Sequence, residues 1–143
     1  MKKFYVTTPI YYVNDLPHIG HTYTTIIADV LAKYYKTLGF KSYFLTGTDE
    51  HATKIFDIAT KLNIEPKKYC DEMVTKWQDT WKSLDIEYNR FIRTTDEDHI
   101  KTVQKILTIL HDNGDIYKSN YEGLYCTSCE KFISEEDLVD GKC

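Results

Sequence analysis

The sequence lacks the marks of several protein classes. Its 143 residues contain no apolar run near the roughly 18 residues that a membrane-spanning helix needs. The first residues, MKKF, lack the apolar segment of a secretory signal peptide. Basic residues are not in excess, because 18 Lys and Arg face 22 Asp and Glu and give a net charge of −4. A membrane protein and a broadly basic nucleic-acid binder are both disfavoured, and the cytoplasm is the expected location.

Cysteine is scarce, and the common nucleotide fingerprints are absent. Three of the four cysteines, Cys126, Cys129 and Cys143, cluster at one end and Cys70 stands alone, which does not suit a disulfide framework. No GxGxxG follows the first predicted strand, and no GxxxxGK[ST] occurs anywhere. A dinucleotide-dependent dehydrogenase and a P-loop enzyme are therefore disfavoured. The apolar share of 42% and the charged share of 28% are those of an ordinary folded domain.

The amino-terminal part predicts a strand, a helix and a second strand. Residues 3–8 (KFYVTT) are rich in β-branched and aromatic side chains and end at Pro9. Residues 20–38 carry apolar side chains every three or four positions, which indicates a helix. The apolar positions are Tyr23, Ile26, Ile27, Val30, Leu31, Tyr34 and Leu38. Residues 41–46 (KSYFLT), closed by Gly47, predict the second strand, and such a βαβ unit has parallel strands with a right-handed crossover.

The middle of the chain is predicted to be mainly helical. Helices are expected over residues 51–62 and 66–85, a third strand over residues 88–93, and a further helix capped by Thr94 or Thr95. One face of the second of these helices is predicted to lie in the core, and it comprises Tyr69, Met73, Trp77, Trp81 and Leu84. The pattern changes after Gly114, so we expect residues 1–114 to form one domain and residues 115–143 to begin a second, smaller one.

Two histidines flank a glycine where the first strand gives way to the helix, in the stretch PIYYVNDLPHIGH. Free backbone amides and the helix dipole make a helix start an anion site, so His18 and His21 could donate hydrogen bonds to the phosphates of a nucleotide. Gly20 would let a flat base approach the backbone closely. The alternative is that each histidine is only a helix cap or a surface residue. The pair around a glycine after a strand favours the nucleotide site.

These residues carry a resemblance. The stretch from His18 to His21 is similar to the HIGH signature of the class I aminoacyl-tRNA synthetases. Residues 9–14 (PIYYVN) and 47–51 (GTDEH) resemble the corresponding stretches of the methionyl-tRNA synthetase branch of that family. The resemblance covers residues 4–143. It implies an α/β fold, the first half of a Rossmann-like parallel sheet with helices, followed by the start of a small zinc-knuckle insertion.

The resemblance also implies roles for single residues. The residues implied to bind ATP are Asn14, His18, Gly20 and His21, with His18 and His21 catalytic; those implied to bind methionine are Ile10, Tyr12 and Asp49, whose carboxylate would hold the ammonium group. The βαβ topology supports this independently, because parallel strands end at the same edge and bring Asp49 near residues 9–21. The alternative for Asp49 is an N-cap of the next helix. Ala52 departs from the glycine common in the family, which affects only local backbone detail.

The cysteines at the carboxyl end suggest a metal site. Cys126 and Cys129, which are separated by two residues, can chelate one tetrahedral ion, and Cys143 is a third candidate ligand. The resemblance implies a structural Zn²⁺ whose fourth ligand, a His or Cys, lies just past Cys143. The alternative is a set of reduced cysteines in a small core. Cys70 is expected in the main core.

The function implied by the resemblance is that of a methionine–tRNA ligase. Such an enzyme uses ATP with Mg²⁺ to convert methionine to methionyl-adenylate and transfers the amino acid to tRNA(Met) in protein synthesis. The lysine-rich second signature of the family does not occur in this sequence, so we expect an incomplete amino-terminal portion that is inactive by itself. Two alternatives stay open: a smaller nucleotidyltransferase with a HIGH-like ATP site, and a non-catalytic zinc-binding module associated with tRNA.

Overall fold

The computed structural model describes residues 1–143, which divide into two compact units, residues 1–103 and 104–143. In chain order the main elements are β1 (Lys3–Tyr12), α1 (Ile19–Thr37), β2 (Lys41–Asp49), α2 (Thr53–Lys61), α3 (Pro66–Ser83), β3 (Arg90–Arg93), α4 (Glu97–Asp112), β4 (Leu124–Cys126) and β5 (Lys131–Ile133). The predicted α/β fold is confirmed. None of the helices is long and apolar enough to cross a membrane.

A three-stranded parallel sheet organises the first unit, in the order β1-β2-β3. The pairing of Lys3 with Lys41 at one end and of Tyr12 with Asp49 at the other places the carboxyl ends of β1 and β2 side by side. The predicted parallel βαβ unit is confirmed, and β3 extends it by one strand.

Strand β1 does not stop at Pro9, as its sequence predicts. It continues to Tyr12, with a shift in the pairing register between Thr7 and Ile10. Proline removes one donor from the ladder, which an edge strand or a bulge tolerates, and both conditions hold here because β1 lies at the edge of the sheet. The extension carries Ile10 and Tyr12 to the end of the sheet.

Strand β2 likewise passes through Gly47 instead of ending there, and reaches Asp49. A Cβ atom at Gly47 would lie only 1.9 Å from the carbonyl oxygen of Ile92 in β3. Glycine is thus required by the close approach of two strands, one of the positions in which a strand glycine is normal. The prediction treated Gly47 as a terminator, although its missing side chain permits pairing with β3.

The main core lies around α3, where Trp77 and Trp81 are fully buried. They pack with Phe44 of β2 and Val13, which follows β1. Tyr69 and Met73 are buried as predicted and so is Cys70, whereas Leu84 at the end of the same face is 42% exposed. Helix α3 therefore supplies most of the large side chains of this core.

Helix α1 forms as predicted, but the apolar stripe that predicts it is not its buried face. Tyr23, Val30 and Tyr34 are more than half exposed, while the buried residues are Thr25, Ala28, Asp29 and Ala32. Small side chains let the helix approach the sheet closely. The buried Asp29 carboxylate is satisfied by Lys33, at 2.7 Å, and by the backbone amide of Glu87, at 2.8 Å.

The second unit contains the antiparallel hairpin of β4 and β5, followed by a short 3₁₀ helix, Glu135–Asp137. Tyr125 and Phe132 pack edge to face across the hairpin, and Ile133 is buried.

Helix α4 begins at Glu97, so the cap predicted at Thr94 or Thr95 is wrong; the hydroxyls of both threonines contact Glu50. The domain boundary predicted after Gly114 stays a prediction.

Candidate functional site

The start of α1 is closed by a capping box built from two histidines. Nδ1 of His18, the N-cap residue, accepts a hydrogen bond from the amide of Gly20 at 3.1 Å. Nδ1 of His21 accepts one from the amide of His18 at 3.2 Å, and the two rings stack with centroids 3.7 Å apart. Both histidines thus satisfy helix amides that would otherwise lack partners.

This geometry assigns the tautomer of both neutral rings. A backbone amide only donates, so each Nδ1 must carry a free lone pair, and each neutral ring carries its proton on Nε2. Each ring therefore keeps one N–H donor for a further partner. The two roles that the sequence offers for each histidine, helix cap and phosphate donor, are compatible because they use different nitrogens of the same ring.

Aromatic side chains hold His21 in place. Its ring centroid lies 4.8 Å from that of Tyr11 and 4.9 Å from that of Trp77. Trp77 also donates its indole N–H to the carbonyl of Asp15, at 3.1 Å, and so ties the loop between β1 and α1 to α3. Burial, and then repulsion from His18, lower the pKa of His21 from its ordinary 6.5. The sequence predicted Trp77 only as core.

A cleft of about 380 Å³ opens at this junction. Its lining consists of Ile10, Tyr11, Tyr12, Asn14, Asp15, Leu16, His18 and His21. Five of the seven residues predicted to bind ATP or methionine are among them. A larger cavity of about 470 Å³ lies elsewhere, along the end of α3 and the segment after it, and contains none of the predicted residues.

Gly20 and Asp49, the other two predicted residues, lie beside this cleft. A Cβ atom on Gly20 would lie 3.0 Å from Cε1 of His18, so a larger residue would push the capping ring aside by a few tenths of an ångström. Asp49 is paired with Tyr12 across β1 and β2. Its carboxylate accepts a hydrogen bond from the amide of His51 at 3.4 Å.

The alternative role of Asp49 as a helix cap is wrong. The N-cap of α2 is Ala52, and no side chain caps that helix. The backbone of Ala52 has φ −98° and ψ 142°, a conformation open to every residue, so the departure from glycine introduces no strain there. The hydrogen bond from His51 to the carboxylate of Asp49 is long, and Asp49 is only partly buried.

Two further charged residues near the cleft were missed by sequence reasoning. Glu50 and Arg93 form a buried ion pair with an N···O distance of 2.6 Å at the carboxyl ends of β2 and β3. They are 43 residues apart, and no periodicity or motif links them. Only the register of the two strands places them together.

The three clustered cysteines come together in the second unit. Their sulfur atoms all lie within 4.8 Å of one another, and those of Cys129 and Cys143 are 3.4 Å apart. Sulfur ligands of one tetrahedral zinc ion lie about 3.8 Å apart, since each Zn–S bond is about 2.3 Å. The cluster could therefore hold a metal ion. A small cysteine core is excluded, because Cys129 and Cys143 are exposed and Cys126 is only partly buried.

The thiols of this cluster differ in acidity. A hydrogen bond from the amide of Cys129 lowers the pKa of Cys126. The neighbouring Cys129 and Cys126 thiols raise the pKa of Cys143 to about 11. Burial raises the pKa of Cys70 in the main core, also to about 11, which suits an unreactive core residue.

Comparison with known proteins gives a consistent result. The sequence matches the family described as tRNA synthetases class I (M) over residues 4–143. It is 56% identical over 142 residues to a methionine–tRNA ligase of Clostridium acetobutylicum, and 50% identical over 137 residues to one of Thermotoga maritima. These alignments cover 99% and 96% of this chain and 22% of each relative. The chain thus spans about a fifth of the length of these curated relatives.

The fold is similar to that of a solved synthetase. The structure superimposes with a TM-score of 0.91 on Mycobacterium tuberculosis methionyl-tRNA synthetase in complex with methionyl-adenylate. The two sequences are 38% identical, and the match covers 99% of this chain and 28% of the other.

The capping geometry predicts the tautomer of both histidines and the titration of His21. At pH 7.5 we expect ¹⁵N NMR of the chain to show both rings as Nε2–H tautomers. Because its folded pKa is lowered, His21 should protonate below 6.5, and its contribution to stability should be complete above 6.5 and lost as pH falls through the folded value. The amide signal of His18 should shift with it. In His18→Asn, which keeps a cap acceptor but removes the repulsion, the His21 pKa should rise. An Nδ1–H tautomer, or a pKa above 6.5, would contradict the geometry.

Proposed function

The chain belongs to the class I tRNA synthetases of the methionine group, tRNA synthetases class I (M), and from that membership we propose that it builds one side of the methionine and ATP site of a methionine–tRNA ligase. The observation that carries the proposal is the cleft at the carboxyl edge of the sheet. It gathers Ile10, Tyr12, Asn14, His18 and His21, which are separated in sequence into a strand end, a loop and a helix start.

ATP would bind at the start of α1. The capping box occupies both Nδ1 atoms and leaves an Nε2–H donor on His18 and on His21, so the two rings can donate to phosphate oxygens while neutral. The dipole of the 19-residue helix adds positive potential at the same end. Asn14 lines the cleft beside them and offers an amide for the nucleotide. Gly20 keeps the first turn of the helix free of a side chain.

Methionine would bind across the ends of β1 and β2. Ile10 and Tyr12, which are 42% and 47% exposed, supply apolar and aromatic surface for its side chain. Asp49 lies opposite Tyr12 in the strand register and has a carboxylate for the ammonium group. The hydrogen bond that it accepts from His51 is long, and a carboxylate can accept further donors such as that ammonium group.

The chemistry would be an in-line substitution at phosphorus. A carboxylate oxygen of methionine forms a bond to the α-phosphorus of Mg²⁺-bound ATP, the bond to the bridging oxygen breaks, and pyrophosphate leaves with that electron pair. His18 and His21 would stabilise the charge that develops on the phosphate oxygens through their Nε2–H donors. The methionyl group would then pass to the terminal ribose of tRNA(Met). We keep the cytoplasm as the proposed location of this reaction.

For the cysteine cluster we propose a structural Zn²⁺. Cys126, Cys129 and Cys143 fill three of the four tetrahedral positions, and the fourth would be taken by water or another protein group. A bound Zn²⁺ would keep the three thiols deprotonated and cross-link the β4–β5 hairpin to the segment around Cys143. The exposed thiols and small hairpin core suit a metal that stabilises a minimal unit.

The proposal is tested in a chimera in which this chain replaces the matching segment of the Clostridium acetobutylicum methionine–tRNA ligase. Methionine-dependent pyrophosphate exchange should fall by about 10² to 10³ in His18→Ala and in His21→Ala, as loss of one preorganised donor does. Asp49→Asn should raise the KM for methionine at least about tenfold, since the charge-assisted contact is lost, and leave the KM for ATP nearly unchanged. Exposed Lys101→Met serves as the control and should behave as the unsubstituted chimera. Exchange within about threefold of that level in both histidine variants would reject the site.

The metal proposal is tested on the chain itself with Co²⁺ as a spectroscopic probe for Zn²⁺. Thiolate-to-cobalt charge-transfer absorption should appear on titration and vanish when Zn²⁺ is added. Cys129→Ser should weaken binding at least about 100-fold, more than a change outside the ligand shell costs. Cys70→Ala, which removes the cysteine outside the cluster, should leave the spectrum intact. Equal spectra for Cys129→Ser and the unsubstituted chain would rule out the proposed ligand set.

A further inference from the structure

The buried side chain of Glu50 is held by four hydrogen bonds. Its Oε1 atom accepts from Oγ1 of Thr48 at 2.8 Å and from Nε of Arg93 at 2.6 Å. Its Oε2 atom accepts from Nη2 of Arg93 at 3.0 Å and from the hydroxyl of Thr95. The carboxylate has no exposed surface, and Arg93 binds it through two parallel contacts. Glu50 directly follows Asp49, the residue proposed to bind the ammonium group of methionine.

The same network reaches a third element. Nη2 of Arg93 also contacts Oδ1 of Asp71 on α3 at 2.6 Å, and Asp71 is paired with Lys67 at 2.8 Å. Arg93 thus joins the end of β2 to the middle of the helix that carries the core tryptophans. Because Arg93 itself ends β3, three elements meet at one guanidinium group.

Backbone contacts fix the residues on both sides of Asp49. The carbonyl of Thr48 accepts from the amide of Thr94 at 3.2 Å, and the amide of Glu50 donates to the hydroxyl of Thr94 at 2.8 Å. Nε2 of His51 lies 3.3 Å from the carbonyl of Thr94. Asp49 is therefore flanked by residues that are each bound to the segment after β3, although its own carboxylate has one long contact.

Both members of the pair are charged at neutral pH. Burial by itself would raise the pKa of Glu50, but the hydrogen bonds from Arg93, Thr95 and Thr48 outweigh it and lower the pKa. Burial likewise acts to lower the pKa of Arg93, and its bonds to Glu50 and Asp71 raise it instead. Asp71, Lys67 and Cys70 are ionisable groups close to the pair, and the carboxylate of Asp96 accepts a hydrogen bond from the amide of Arg93 at 3.0 Å. Asp49 and His51 flank Glu50 in the chain.

We propose that Glu50 and Arg93 are positioning residues that set the place of the Asp49 carboxylate for the ammonium group of methionine. This inference rests on the proposed function of Asp49. A buried ion pair adds little net stability over apolar residues of the same shape, so stability alone does not account for a carboxylate with four donors at this point. Glu50 directly follows Asp49, the last residue of β2, so fixing the side chain and the amide of Glu50 fixes the strand end that carries the Asp49 carboxylate.

The test compares two substitutions of different severity, Arg93→Lys and Thr95→Val, in the chimera described above. Arg93→Lys keeps the charge but loses the two-pronged contact, and should raise the KM for methionine about 100-fold, as a displacement of about 1 Å does. Thr95→Val removes one donor at constant shape and should raise it about tenfold. In both variants the KM for ATP should change by less than about twofold, because the ATP residues lie in the loop after β1 and at the start of α1. Lys101→Met removes a surface ion pair with Glu97 and is the matched control.

A second readout uses the chain alone. The amide of His51 donates to the Asp49 carboxylate, so its hydrogen exchange should accelerate in Thr95→Val and more in Arg93→Lys, with the control unchanged. A lower melting temperature with both KM values and the exchange rate unchanged would overturn the inference and leave a purely structural pair. If Arg93→Lys does not fold, the result for Thr95→Val decides between a positioning role and a purely structural role. If the unsubstituted chimera is inactive, the proposed function fails, and unchanged His51 exchange in Thr95→Val would still overturn the positioning role.

Discussion

Parallel pairing of β1 with β2 is the constraint on which the rest of this structure depends. A parallel pair ends at one edge, so Tyr12 lies beside Asp49 although 36 residues separate them in sequence. The helix between the two strands must then begin at that same edge, which brings the amides of His18 and Gly20 and the dipole of α1 to the cleft. An antiparallel arrangement of the same segments would place the histidines and the carboxylate at opposite ends of the sheet. The position of the candidate site therefore depends on the strand topology more than on any single side chain.

Buried charge reinforces this topology at two places, and each buried carboxylate is fully paired. Asp29 joins α1 to the segment before β3, through Lys33 and the amide of Glu87. Glu50 joins β2 to β3 and, through Arg93, to α3. Removing the partner of a fully buried carboxylate such as Glu50 costs about 3 to 5 kcal/mol, because an uncompensated charge stays buried. The Asp29–Lys33 pair contributes less, because Lys33 is 40% exposed and solvent screens it. The elements around the cleft are held in one relative arrangement by directional contacts as well as by the packing of Trp77 and Trp81, which suits a site that works by positioning its substrates.

The sequence predicted most of the fold and the location of the site, and it failed where long-range pairing decides. The 3.6-residue period of α1 and α3 and the β-rich composition of residues 3–8 and 41–46 gave the helices and the parallel strands. The predicted ends of β1 and β2 lie too early in the sequence, because proline and glycine usually stop a strand. Here Pro9 lies at a register shift of β1, and Gly47 allows the backbone of β3 to approach closely. The exposed stripe of α1 could not be recognised, since periodicity identifies an apolar face and not what covers it. No local pattern predicts that Glu50 pairs with Arg93. The roles given to single site residues stay predictions.

The most direct measurement is binding of a non-hydrolysable sulfamoyl analogue of methionyl-adenylate to the chain, followed residue by residue through amide NMR signals. The account predicts saturable shifts confined to residues 10–21 and 49–51, the two segments that meet at the carboxyl edge of the sheet. The indole N–H signal of Trp77 should shift as well, because it is bonded to the loop carbonyl of Asp15. Shifts centred on the larger cavity between Gln78 and Tyr88, or no saturable shift in either segment, would contradict the claim that this cleft is the methionine and nucleotide site.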